Sequence, residues 1–233
     1  MSEVETQRAY YARTAAQYDA MHVDEGDEHY RALDWLANLI RQNSYTSLLD
    51  IGSGTGRALR YLKERQPIRY LGVEPVEALR AQGHAQGLND DELVDGNALA
   101  LDLADDSFDV VSEFGVLHHI KDHRKAVAEM CRVAKHGVFI SDSNNFGQGS
   151  PLARLVKQSI NAVGMWGAFD WVMTRGKGYH WSEGDGLFYS YSVMNDLPVL
   201  RRKFPKLHFL STMPSSGPHF YRQAPHMAVF ATR

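Results

Sequence analysis

The sequence predicts one α/β domain built on a parallel sheet with helices on both faces. Three observations predict it. Apolar runs alternate with helical spacing five times between residues 47 and 141, a glycine-rich turn joins the first run to the helix after it, and the composition is that of one well-filled globular unit. The chain has 233 residues, 44% hydrophobic and 23% charged, which supplies a core and excludes disordered, collagen-like and coiled-coil chains.

Residues 1–43 read as an N-terminal helical cap, in which Tyr11, Ala15 and Tyr18 share one face and Leu33, Leu36, Leu39 and Ile40 another. Residues 44–143 read as the core. Ser47–Ile51 is a short apolar run that ends in Gly52-Ser53-Gly54-Thr55-Gly56, and the helix over Arg57–Gln66 is stopped by Pro67. Tyr70–Val73 is the second strand, followed by Glu74-Pro75 and a helix over Val76–Gln86 that Gly87 terminates. Glu92–Asp95 is a short third strand and Phe108–Ser112 the fourth; a helix from Asp122 to Lys135 leads to the fifth, Val138–Ser141. The pattern then breaks. Residues 144–195 read as an insertion that supplies a lid and acceptor pocket, with Trp166, Trp171 and Trp181 beside Phe169, Tyr179, Phe188, Tyr189 and Tyr191, most of them expected to form a second core under it. Ser150-Pro151 fits an N-cap and first helical position. Residues 196–233 return to sheet, with a helix at Asp196–Lys203 and an antiparallel edge pair at Leu207–Met213 and His226–Thr232.

Charge and cysteine content narrow the partners. With 25 Lys and Arg against 28 Asp and Glu the net charge is −3, which leaves no positive excess for a phosphate backbone, so no nucleic-acid partner is expected. The single Cys131 forms no intramolecular disulfide and belongs to no zinc spacing; an inert buried thiol in a reducing compartment fits it. Glu3, Glu5, Arg8, Arg13 and Asp19 interrupt the N-terminal stretch, and no run of about 18 apolar residues occurs, so the expectation is a soluble cytoplasmic protein with neither signal peptide nor membrane partner. Nothing in the sequence sets the oligomeric state.

The informative residues are Asp50 to Gly56. Glycines at this junction let the backbone turn sharply and let a ligand lie on main-chain N–H groups. Glu74 ends the next strand, which in an open α/β sheet puts its carboxylate beside the ribose of a nucleotide lying over the glycines. A dinucleotide fingerprint would need its third glycine where Arg57 stands, which disfavours NAD. Asp50 just before the turn would repel a pyrophosphate and suits a ligand that carries an ammonium group, directly or through water.

On these residues the chain resembles the class I S-adenosylmethionine-dependent methyltransferases. Leu48–Gly56 is similar to their first motif, and Glu74, with Pro75 after it, to their ribose-binding acid. Gly96-Asn97-Ala98 and Asp105–Val111 resemble the segment that touches adenine and enters strand four; Asn97 stands where an Asp is common, and its amide oxygen can accept the same bond. Val116–Ile120 with Ala126, Glu129 and Arg132-Val133 is similar to the small-molecule branch, and Tyr10-Tyr11, Ala15 and Tyr18-Asp19 to its N-terminal segment, where an aromatic closes over the cofactor. Ala134-Lys135-His136-Gly137 is shorter than the family's usual turn before strand five. The similarity covers residues 10–143. It implies a Rossmann-like seven-stranded sheet in the order 3-2-1-4-5-7-6, last strand antiparallel, and S-adenosyl-L-methionine held by Tyr11, Tyr18, Asp50, Gly52, Gly54, Gly56, Glu74, Pro75, Asn97, Ala98 and Glu113.

Methyl transfer from a sulfonium is an in-line displacement, so the protein positions the acceptor and excludes water, and a hydroxyl acceptor gains from a base. By the resemblance His118 and Asp142 take that role, with His119 the competing base. Glu113, Asp142 and Asn144 offer oxygen ligands, but Ser143 interrupts the Asp-Asn pair, and no metal is expected. Ser112-Glu113-Phe114-Gly115 stands where enzymes acting on DNA bases or protein amides carry an Asn/Asp-Pro-Pro-Tyr sequence. The expected acceptor is a hydroxyl on a small molecule such as a sugar, polyol or tailoring-pathway intermediate. An amine or carbon acceptor that needs no base, or a cofactor-binding module without turnover, are the alternatives.

Overall fold

The computed structural model describes residues 3–15, 28–214 and 219–233. In chain order the elements are α1 (Glu3–Thr14), α2 (Glu28–Asn43), β1 (Ser47–Ile51), α3 (Arg57–Lys63), β2 (Arg69–Val73), α4 (Glu77–Ala85), β3 (Leu93–Val94), β4 (Phe108–Phe114), α5 (His123–Val133) and β5 (Ala134–Ser143). The chain continues with α6 (Pro151–Ala162), α7 (Trp166–Met173), β6 (His180–Ser182), β7 (Gly186–Phe188), α8 (Leu197–Leu200), β8 (Lys206–Ser211), α9 (Phe220–Gln223) and β9 (His226–Thr232).

Seven strands form one sheet in the order β3-β2-β1-β4-β5-β9-β8. β1 pairs in parallel with β2 and β4, β4 with β5, and β9 runs antiparallel to both β5 and β8. This is the expected order once the small hairpin β6–β7, which forms its own sheet, is set aside. β1 is buried at all five positions because helices cover both faces of the sheet. Alternate residues feed two cores: Leu49, Ile51 and Val111 pack with Val127 and Met130 of α5, while Leu48 and Val110 pack with Leu33, Leu36 and Ile40 of α2.

Local chemistry sets several boundaries. Asp122 caps α5 by accepting from Lys125 N at 3.2 Å, and Ser150 caps α6 by accepting from Ala153 N at 3.3 Å, with Pro151 at its first turn. β5 starts earlier than the spacing suggests. It follows α5 without a loop, and Gly137 pairs with Val110 and Thr232 in mid-strand, so the short family turn is absorbed into the sheet. Register then decides what sits at the carboxyl edge: Asp50 lies opposite Ser112 and Gly72, and Ile51 opposite Glu113.

The insertion differs from its expectation. Tyr191 and Phe146 are buried, but neither α6 nor α7 has a buried residue, and Trp171 is 61% exposed. α6 turns its polar side inward, and the aromatic packing under the insertion runs through Trp166, 5.2 Å from buried Phe146, with Phe169 beside it. Among the described residues no helix is long and apolar enough to cross a membrane.

Candidate active site

The glycine turn is held in the left-handed region, with φ of +62° at Gly52, +57° at Gly54 and +73° at Gly56. At Gly52 a methyl group would stand 2.6 Å from Val116 Cγ1, so the bare backbone is what lets the turn nest under the segment that follows β4. Ser53 N donates to Val73 O at 3.1 Å, which fixes the turn to the end of β2. There Glu74 accepts from Gly54 N at 3.0 Å and from Val76 N at 2.8 Å. Burial raises its carboxyl to about 7 in spite of those two bonds.

Asp50 faces the other way. Its carboxylate accepts from Ser53 Oγ at 2.7 Å and from Ser112 Oγ at 2.8 Å. Gly72 makes this possible, because a side chain there would collide with the Ser53 hydroxyl, 2.7 Å from its Cβ. Burial raises Asp50 to about 6.

A cavity of about 300 Å³ opens along this edge, lined by Tyr11, Gly52, Gly54, Glu74, Pro75, Asn97 and Ala98 from the expected set, together with His119. Asp50, Gly56 and Glu113 are not part of its wall, and Tyr18 lies outside the described residues. Asp50 acts on the turn's shape through Ser53. Gly56 starts α3 in a left-handed N-cap. Asn97 uses its side-chain oxygen to accept from Leu99 N at 3.0 Å, which orders the loop beside Ala98.

Beyond β4 the chain makes a tight turn over Leu117–His119, anchored by buried Leu117. His118 Nδ1 lies 2.6 Å from Asp142 Oδ1, and His118 N donates to Asp142 Oδ2 at 3.2 Å. The turn between β6 and β7 brings Asp185 over both histidines, with Oδ2 3.4 Å from His118 Nε2 and Oδ1 3.3 Å from His119 Nε2. His119 Nδ1 is 2.7 Å from Leu187 O, and Nε2 is 2.9 Å from the Tyr11 hydroxyl. The two rings, 4.0 Å apart, are thereby shifted in opposite directions. Burial alone would depress His118, yet Asp142 on one nitrogen and Asp185 on the other raise it well above 6.5. His119 is lowered by burial and by its positive neighbour. Asp142, which burial would raise, is held at about 2 by His118. Glu113 is pushed well above 4.5 by burial and by neighbouring Asp142; Oε2 accepts from Val116 N at 2.9 Å, while Oε1 has no hydrogen-bond partner among the described residues.

Two contributors escaped the sequence reading. Gln7 of α1 accepts from Leu187 N at 2.6 Å and reaches Asp185 O and His119 Nδ1 at 3.2 and 3.1 Å, which ties the cap to the hairpin. Asp185 is the other; its only signal was the mixture of acids, glycines and aromatics around it. His118, His119 and Asp185 also present ligand atoms within 4.8 Å of one another, a spacing that a divalent ion could use.

The walls fit a sulfonium nucleoside. Left-handed glycines leave backbone on one side of the cavity, a buried carboxylate stands where ribose hydroxyls would donate, and an aromatic ring and a neutral imidazole close the far wall.

Comparison with known proteins agrees. Residues 49–141 match the family model of a methyltransferase domain. The chain is 36% identical over 96 residues to norajmaline N-methyltransferase of Rauvolfia serpentina, covering 39% of this chain and 33% of that protein. It is 31% identical over 130 residues to demethylmenaquinone methyltransferase of Shouchella clausii (strain KSM-K16), covering 52% and 54%. The chain thus spans between 33% and 54% of the length of these curated relatives. Magnesium protoporphyrin IX methyltransferase of Synechocystis PCC 6803 has the same fold, with a TM-score of 0.63 and 12% identity with bound SAH and 0.62 and 11% with bound SAM, covering all of this chain and 98 to 100% of that one.

Proposed function

The chain carries a methyltransferase domain over residues 49–141 in the fold of the class I S-adenosylmethionine-dependent methyltransferases, and from that premise we propose that it methylates a hydroxyl group on a small molecule. The observation that carries this reading is the 2.6 Å bond between His118 and buried Asp142; neither residue is part of the cavity wall, which His119, next in the chain to His118, helps to form. In its neutral form, and with Asp185 displaced from Nε2, His118 held by Asp142 at Nδ1 has that second nitrogen free to take a proton, which a hydroxyl acceptor needs and a neutral amine does not.

S-adenosylmethionine, when bound, supplies an electrophilic methyl group on a sulfonium. The glycine turn and Glu74 would hold it, the carboxylate placed to accept from ribose hydroxyls, with Tyr11 in the same cavity wall. The acceptor hydroxyl takes the place of the Asp185 carboxylate at His118 Nε2. As the methyl group is transferred, His118 Nε2 would take the proton of the hydroxyl, and Asp142 would steady the resulting imidazolium. His119, lowered below 6.5 and 2.9 Å from the Tyr11 hydroxyl, would present an uncharged ring to the cavity. In this division of labour residues 1–43 cap the cofactor, 44–143 bind it, 144–195 enclose the acceptor and 196–233 complete the sheet.

The test is incubation with isotope-labelled methyl donor and a metabolite extract, followed by identification of the labelled product and its kinetics. An O-methylated product and a fall in kcat of about 10²–10⁴-fold in Asp142→Asn support the reading. Retention of most activity by His118→Ala would move the acceptor to nitrogen or carbon.

A further inference from the structure

We propose that the outward face of α6 and α7 docks on an anionic lipid surface. Amphipathic helices of soluble domains put their apolar stripe inward. α6 does the reverse. Leu152, Leu155, Val156 and Val163, which fall on one helical face, are 70%, 55%, 46% and 70% exposed. The opposite face is polar and bonded to the protein: Gln158 Nε2 donates to Phe146 O at 3.0 Å, Asn161 Nδ2 to the Tyr221 hydroxyl at 3.3 Å, Arg154 Nε to Gly149 O at 2.9 Å, and Lys157 to Asn145 O. The apolar surface continues over α7, where Met165, Trp171, Val172 and Met173 are each at least 60% exposed. Eight of the twelve large apolar side chains exposed among the described residues thus fall between residues 152 and 173, a concentration that scattered surface apolar residues do not produce.

Charge selects the occupant. Past the C-terminal end of α7 the exposed Arg175 and Lys177 border this face, while Arg154 and Lys157 lie on the side bonded to the protein; the one acid between residues 150 and 178, Asp170, is 3.1 Å from His180 Nε2. This is a positive rim on a chain whose net charge is −3. In an isologous contact between two copies the same rim would face itself, so like charges would meet. Anionic headgroups are attracted instead, while the Leu, Val, Met and Trp side chains enter the headgroup boundary, which is the arrangement of an interfacial helix. The sequence led to no membrane partner because a search for spans tests length, and periodicity marks a stripe without saying which side the protein covers. Docking of this kind needs no spanning helix and stands apart from the identity of the acceptor.

Co-flotation of the full chain with vesicles of phosphatidylglycerol and phosphatidylcholine, and with vesicles of phosphatidylcholine alone, tests the proposal. The wild type is expected to float with the anionic vesicles and to stay behind with the neutral ones, and partitioning should fall about fivefold for each charge removed in Arg175→Gln and Lys177→Gln. The double variant V156E/V163E should abolish flotation while its thermal midpoint and cofactor affinity stay unchanged, which excludes misfolding. Absence of flotation with anionic vesicles overturns the proposal. So does a wild type that light scattering finds as a dimer in solution and that V156E/V163E converts to monomer, since the face would then belong to a second copy.

Discussion

Glu74 offers the sharpest test of the cofactor site because its ionisation and ligand binding must move together. Burial raises its carboxyl from 4.5 to about 7. A displacement of roughly 2.5 pH units corresponds to about 3 kcal/mol of preference for the neutral form. In the empty protein this is a stability cost that grows as pH rises from the unfolded pKa through the folded one, since the folded chain retains a proton that the unfolded chain has lost. Ribose hydroxyls reverse the preference, because they donate to a carboxylate more strongly than to a carboxylic acid. The affinity of S-adenosylhomocysteine, measured by calorimetry from pH 5.5 to 8.5, should therefore tighten by up to about tenfold per pH unit below about 7 and level off above it. Glu74→Gln should bind more weakly at pH 8 and lose the slope. Asp50 at about 6 also titrates in this range, so any slope that survives in the variant belongs to it and not to Glu74. An affinity in the wild type that ignores pH would refute the placement of ribose at this carboxylate.

Three further outcomes follow from the same geometry. Gly52→Ala should cost about 1–2 kcal/mol from its φ of +62° alone, and more from the 2.6 Å approach to Val116; a lower melting temperature with at least tenfold weaker cofactor binding is expected in scanning fluorimetry and calorimetry. Asp185→Asn removes a charge that raises His118, so the base form persists to lower pH and the rising limb of kcat/KM, measured against the identified acceptor, should shift toward acid; a limb that stays in place or moves upward counts against His118 as the base. Chelation with EDTA should leave the rate unchanged, and a loss restored by a divalent ion would convert His118, His119 and Asp185 from proton-handling groups into ligands.

What the sequence disclosed was what travels in short stretches of chain. The strand, glycine turn and following acid are local signals, and the structure gathers Gly52, Gly54, Glu74, Pro75, Asn97 and Ala98 around one cavity. The βα steps were legible for the same reason, since each announces itself by its own periodicity, whereas the order of the strands in the sheet came from the resemblance to the family. Asp50 shows where locality stops. Its position before the glycines suggested a ligand contact, but the direction of its side chain depends on Ser112 across β4 and on the space above Gly72, both set by register. α6 shows the same limit. Its stripe of apolar residues is visible in the sequence, and the partners of Gln158 and Asn161 that turn the stripe outward are not.

The histidine pair carries this argument to the chemistry. Two adjacent residues of one type cannot be assigned opposite shifts from their own positions, because the burial and the turn are common to both. The difference arises from groups remote in sequence: Asp142 at the end of β5 reaches His118 alone, while Leu187 of β7 and Tyr11 of α1 reach His119 alone. Asp185 reaches both, so it cannot separate them by itself; it adds to a bias that Asp142 has already set. Removal of Asp142 should therefore erase the asymmetry, and removal of Asp185 should only soften it. The order of the two effects on the pH profile, Asp142→Asn above Asp185→Asn, is what distinguishes a base oriented from β5 from one governed by the hairpin.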